Sequence, residues 1–110
     1  MTDRELLEAA AKAAGIAARW NENPPSTVQI DDFGDAGWWN PLDDDGDALR
    51  LAVKLGMQIW RNTGGTVSAM PPGDAINFWE RLKDELTPDP YAATRRAIVR
   101  AAAEIGKAMQ

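Results

Sequence analysis

Met57-Gln58-Ile59-Trp60-Arg61, then Asn62-Thr63-Gly64-Gly65, then Thr66-Val67-Ser68-Ala69-Met70 is the stretch that decides the fold. Two runs of strand-forming character flank a short polar, glycine-containing connection, which is the pattern of a β-hairpin with a four-residue loop. A hairpin pairs its strands antiparallel, so the chain must contain an antiparallel sheet. Pro71-Pro72-Gly73 ends the second strand, since proline cannot donate to a ladder.

The segments on either side read as helices. Downstream, Asp74 can cap a helix over 74–85 in which Ala75, Trp79, Leu82 and Leu86 keep helical spacing. Asp89-Pro90 then supplies a cap followed by proline at the first helical position, and opens the longest helix, 90–108, with Gly106 its only breaker. Its stripe of Thr94, Ile98, Ala101, Ala102 and Ile105 is rich in small side chains, which let a helix lie close to its neighbour. Upstream, Asp44 or Asp45 can cap a helix over 45–55, with Asp47 in its first turn, Ala48, Leu51, Ala52 and Leu55 as one apolar stripe, and Gly56 as its stop. Thr2 and Glu5 form a capping-box pair that opens a helix over 3–14, ended by Gly15. Between the first two helices, 16–20 and 27–30 read as strands separated by Asn21-Glu22-Asn23-Pro24-Pro25-Ser26, and 31–40 as an exposed loop of glycines and aspartates carrying Trp38-Trp39.

This order predicts an α+β fold, a small antiparallel sheet of about four strands with helices on both faces, in a single domain over 1–110. Leu6, Leu42, Leu51, Leu55, Ile59, Val67, Ile98 and Ile105 are its expected core.

An apolar share of 45% supplies enough side chains for a core. The chain has no cysteine and no histidine, which excludes disulfides, thiolate metal sites and a cysteine nucleophile, and leaves acid–base chemistry to shifted carboxylates or lysines. The charged start Met1-Thr2-Asp3-Arg4-Glu5 and the lack of a long apolar run point to a cytoplasmic protein without membrane contact. A net charge of −5 argues against direct binding to nucleic acid, where lysines and arginines on phosphates provide the affinity.

Asp43-Asp44-Asp45-Gly46-Asp47 invites comparison with a calcium loop, but the register fails. With Gly46 at the sixth position, Pro41 falls at the first ligand position and Ala52 at the twelfth, where a bidentate glutamate belongs. Acidic capping of the following helix is the better account, and no metal or cofactor is expected. No pair of carboxylates stands out for glycoside hydrolysis, and Gly64-Gly65 lacks the lysine of a phosphate loop. Two features remain as candidate binding residues. Of Trp38 and Trp39, adjacent on an extended segment, either one is buried and the other exposed to stack on a base or anchor a partner, or both close the core. Between Trp20 and Leu49 there are eight acidic residues and no lysine or arginine, whereas the last helix carries Arg95, Arg96, Arg100 and Lys107 against Glu104. These charges either form separate acidic and basic surfaces or pair with each other.

The segments Trp39-Asn40-Pro41-Leu42 followed by residues 44–55, and residues 92–101, resemble small proteins of bacteriophages and prophages. The pattern is similar to the phage ABA sandwich domain, in which helices flank a small sheet on both sides, and more loosely to NinX-like phage proteins. The resemblance covers about half the chain and brings no catalytic residues with it. What it implies is a fold and a phage origin more than a function; taken with the small size, the lack of catalytic residues and the acidic surface, it leads to the expectation of a phage accessory protein that binds rather than catalyses, in the cytoplasm of the host cell. Its expected role is to inhibit an anti-phage defence system, by occupying a host defence protein or by sequestering a nucleotide second messenger, with Arg95, Arg96 or Arg100 on phosphates and Trp38 or Trp39 on a base. The alternative is a structural or assembly module whose alanine-rich last helix packs on a second copy as a homo-oligomer. The candidate surface comprises Trp38, Trp39, Asp43, Asp44, Asp45, Arg95, Arg96 and Arg100.

Overall fold

The Thr2 hydroxyl accepts the Glu5 N–H at 3.2 Å while the Glu5 carboxylate accepts the Thr2 N–H at 3.2 Å, and this reciprocal pair opens α1 (Asp3–Ala14). Gly15 closes it in the left-handed conformation, φ +70°, which lets the Ile16 N–H reach back to the Ala11 carbonyl at 2.9 Å. The computed structural model describes residues 2–22, 25–30, 36–61, 66–70, 83–85 and 89–109. The boundaries predicted for the helices over 3–14, 45–55 and 90–108 hold closely. Asp44 rather than Asp45 caps α2 (Asp45–Lys54), its carboxylate accepting the Asp47 N–H at 2.7 Å, and the helix ends one residue earlier than expected. Asp89 caps α3 (Pro90–Ala108) by accepting from the Tyr91 N–H at 2.9 Å and the Ala92 N–H at 3.3 Å.

The predicted hairpin is present as β4 (Gln58–Arg61) and β5 (Thr66–Met70), antiparallel with Ile59 opposite Ala69. A third strand, β6 (Lys83–Glu85), pairs with the other edge of β5. These three residues end the expected 74–85 helix, so that expectation is corrected there; residues 74–82 lie outside the described residues. Lysine and glutamate are good helix formers, but propensity is a weak preference, and the ladder offered by the open edge of β5 overrides it. The first half of the chain makes a second antiparallel sheet, β1 (Ala18–Glu22), β2 (Pro25–Ile30) and β3 (Ala36–Trp39), in that order. The loop expected over 31–40 is therefore a strand from Ala36 to Trp39; glycine and aspartate nearby mask a short strand that gains its hydrogen bonds from β2. The fold is α+β, with two three-stranded antiparallel sheets among the described residues in place of one sheet of about four strands.

α3 is the centre of the molecule. Ala93, Ala97, Ile98, Val99, Ala101, Ala102, Ala103 and Gly106 are all buried, which covers most of its circumference, the signature of an interior helix. It packs on α1, α2 and β5. α1 and α3 run in the same direction, for Arg96 meets Asp3 at 3.5 Å near their starts and the Lys12 ammonium donates to the Met109 carbonyl at 2.9 Å near their ends. Between these ties Gly106 lies against the backbone of Ala9, so close that a Cβ there would be 1.9 Å from the Ala9 carbonyl oxygen. The alanine face proposed for a second copy is thus occupied by the chain's own α1.

Leu6, Leu51, Val67 and Ile98 are buried as expected, joined by Leu7, Trp39 and Val99. Leu42, Leu55 and Ile105 are half-buried. Ile59 is not core: it is 41% exposed, because β4 is an edge strand and Ile59 borders an open cleft. No helix among the described residues is long and apolar enough to cross a membrane.

Candidate functional site: a cleft between two helices

Asn40 organises the approach to α2. Its side-chain oxygen accepts the Leu42 N–H at 3.1 Å and its carbonyl accepts the N–H groups of Asp43 and Asp44 at 3.0 and 2.8 Å, an Asx turn that the buried Pro41 stiffens. The Asn40 N–H donates to the Asp47 carboxylate at 2.9 Å, which fastens the turn to the first turn of the helix. The carboxylates of the acidic run are thereby distributed over separate tasks. Asp43 accepts from the Asn40 amide at 3.3 Å, Asp44 caps the helix, Asp47 also takes Arg50 at 2.9 Å, and Asp45 faces α3.

There it meets Arg95 at 2.7 Å. The Arg95 side chain is only 15% exposed and also donates from Nε to the Leu42 carbonyl at 2.8 Å, so it joins the turn, α2 and α3. A guanidinium held from two sides is a structural clamp between segments distant in sequence. Arg96 pairs with Asp3 at 3.5 Å and stays partly exposed, and Lys107 lies 3.6 Å from Glu104. Of the two charge arrangements open from sequence, pairing between the acidic stretch and the last helix is observed for Arg95 with Asp45, whereas Arg96 pairs with Asp3 of α1. Arg100 is partly buried.

Trp38 and Trp39 alternate on β3 as an extended pair should, Trp39 4% exposed within the core and Trp38 59% exposed. Arg95 borders the cleft between α2 and α3, whereas Trp38 is not among the described residues that line it.

What the structure does assemble is a cleft of about 520 Å³ between α2 and the first half of α3, with β4 at its side. Ala48, Ala52, Thr94 and Ile98 line it together with Leu49, Tyr91 and Ile59, and Asp45 and Arg95 border it. Leu49 and Tyr91 are 64% and 69% exposed, and Val53, one turn beyond Leu49, is also exposed. Thr94 bonds within its own helix, its hydroxyl donating to the Pro90 carbonyl at 2.8 Å. Asp45 and Arg95 of this site are legible in the sequence as candidate binding residues, whereas Leu49, Ile59 and Tyr91 are not. The available signal was Leu49 and Val53: both lie one position off the stripe that the core requires, and widen the apolar arc of α2 beyond it.

No protein-family model, curated protein or solved structure matches this chain.

Proposed function

We propose that this chain is an accessory binding protein of bacteriophage type, not an enzyme, that inhibits a bacterial anti-phage defence system by occupying a protein of the host. The observation that carries the binding role is the α2–α3 cleft, whose Leu49 and Tyr91 walls stand in solvent although the domain has a well-filled core. Apolar surface grouped around a concave site marks interaction surfaces, whereas singly scattered apolar residues do not. The phage and anti-defence elements rest on the resemblance of residues 39–55 and 92–101 to phage proteins, and the host-cell cytoplasm follows from them. The sandwich with helices on both faces of a sheet belongs to the same proposal, supported by the packing of α3 on β5.

Protein binding is favoured over sequestration of a nucleotide. Arg95 is committed to Asp45 and Leu42, Trp39 is in the core, and an acidic surface repels phosphates. The test is phage plating on bacteria that carry individual defence systems and express the chain. Plating is expected to recover in at least one defended strain with the parent chain and to be lost with Leu49→Glu. Unchanged plating across the whole set of strains would overturn the anti-defence role.

A further inference from the structure

We propose that the α2–α3 cleft receives an amphipathic α-helix of a partner protein, with the helix's apolar side chains against Ala48, Ala52 and Ile98 and a lysine or arginine at its end beside Asp43 and Asp45. The inference deepens the binding role above and rests on it.

The chemistry of the lining favours an apolar occupant over a small polar ligand. Sites for such ligands place a few unengaged polar groups within an apolar wall. Here the Thr94 hydroxyl is bonded to Pro90 and the Arg95 guanidinium to Asp45 and Leu42, so apart from the Asp45 carboxylate at one end and the Tyr91 hydroxyl the lining is aliphatic and aromatic. Its occupant must bring apolar side chains.

The dimensions select a helix. The lining residues of α2, Asp45, Ala48, Leu49 and Ala52, form one stripe over seven helical rises, about 10 Å. Those of α3, Pro90, Tyr91, Thr94, Arg95 and Ile98, form a second stripe of similar length. A trough between two helices about 10 Å long matches apolar side chains at positions i, i+3 or i+4, and i+7 of a third helix, which span the same distance.

Charge gives the orientation and the sign of the partner. Asp43, Asp44 and Asp45 at the start of α2 are all exposed at or next to the lining. Arg95, the one cation of the lining among the described residues, is already paired with Asp45. Arg50 is drawn to Asp47, and helical spacing turns Arg50 and Lys54 away from the stripe of Asp45, Ala48 and Ala52. The rim is therefore net acidic, and a complementary partner is basic there.

Selection from a displayed library of random peptides of about sixteen residues, roughly 24 Å when helical, tests this with the intact chain as bait. Enriched sequences are expected to show apolar residues at 3.6-residue spacing with lysine or arginine at one end. They are expected to bind Leu49→Glu at least about tenfold more weakly, as for loss of an interface anchor, with the melting curve of the variant unchanged. Exchanging the terminal lysine of a selected peptide for glutamate is expected to weaken it by about tenfold as well. Leu49-dependent binders with two-residue alternation, or equal binding of the lysine and glutamate forms, would overturn the helix assignment and leave the cleft as a binding surface. Absence of any Leu49-dependent binder would overturn both. Sedimentation showing a dimer of the free chain that Leu49→Glu dissociates would assign the cleft to a second copy and likewise overturn the partner helix.

Discussion

Replacing Gly106 by alanine sets two effects of opposite sign against each other at one atom. Gly106 is in the last turns of α3, where alanine has the better helix propensity by about 1 kcal/mol. Against this, the new Cβ would stand 1.9 Å from the Ala9 carbonyl oxygen and 2.7 Å from its carbon, where contacts below 3.0 Å do not occur. The opposing atoms are backbone, so no side-chain rotation relieves the clash; α1 itself must withdraw by about 1 Å or more. α1 carries Leu6, Leu7, Ala10, Ala11 and Ala14 into the core, so its withdrawal loosens all of them. Overpacking of this kind costs about 1–3 kcal/mol, and the rigid partner places this case at the upper end. The net expectation is a loss of about 1–2 kcal/mol, seen as a fall of roughly 5–10 °C in Tm for a domain of this size. Gly37→Ala is the control, since a Cβ there meets nothing within 4 Å, and it should melt with the parent. Thermal and urea unfolding measure both. A Gly106→Ala protein at least as stable as the parent would refute the close approach of α1 and α3.

Trp39→Ala should destabilise by about 3–5 kcal/mol and Trp38→Ala by less than about 0.5 kcal/mol, in urea unfolding, because one ring is in the core and the other in solvent; equal losses would contradict the alternation on β3. The Glu5 carboxyl is held below its ordinary value by the Thr2 backbone N–H it accepts and then by the Thr2 hydroxyl. A lowered folded-state value means that its contribution is present above the ordinary carboxylate range and is lost as pH falls through the folded value. The difference in Tm between the parent and Glu5→Ala should therefore be largest near neutrality and shrink in acid, and a pH-independent difference would contradict the capping box as drawn. Melts with excess calcium and with chelator should superimpose, since the carboxylates of Asp44, Asp45 and Asp47 are engaged in capping and ion pairs; a rise of several degrees with calcium would overturn that account.

Where local signals were strong, the sequence and the structure agree. Thr2 with Glu5, Asp44 ahead of α2 and Asp89-Pro90 ahead of α3 are caps whose chemistry is complete within a few residues, and each helix begins where they place it. The β4–β5 hairpin is local in the same sense. β3 and β6 are short strands that owe their existence to an edge offered from elsewhere, and neither Ala36–Trp39 nor Lys83–Glu85 announces one by composition. The site divides in the same way. Asp45 and Arg95 are recognisable as charged residues in opposed segments, but their pairing across fifty positions is a product of the fold. Leu49, Ile59 and Tyr91 each look like ordinary apolar positions until three elements meet around them. Gly106, which reads as a weak point in the last helix, is the place where α1 comes nearest.

The most direct test of the binding role is site-specific photo-crosslinking in the host cell, with a photoreactive phenylalanine derivative at position 49, at position 91, or at position 54 on the opposite face of α2. The cleft as interface predicts one discrete adduct, the same from positions 49 and 91 and absent from position 54. The same adducts from all three positions, or none from 49 and 91, would contradict it.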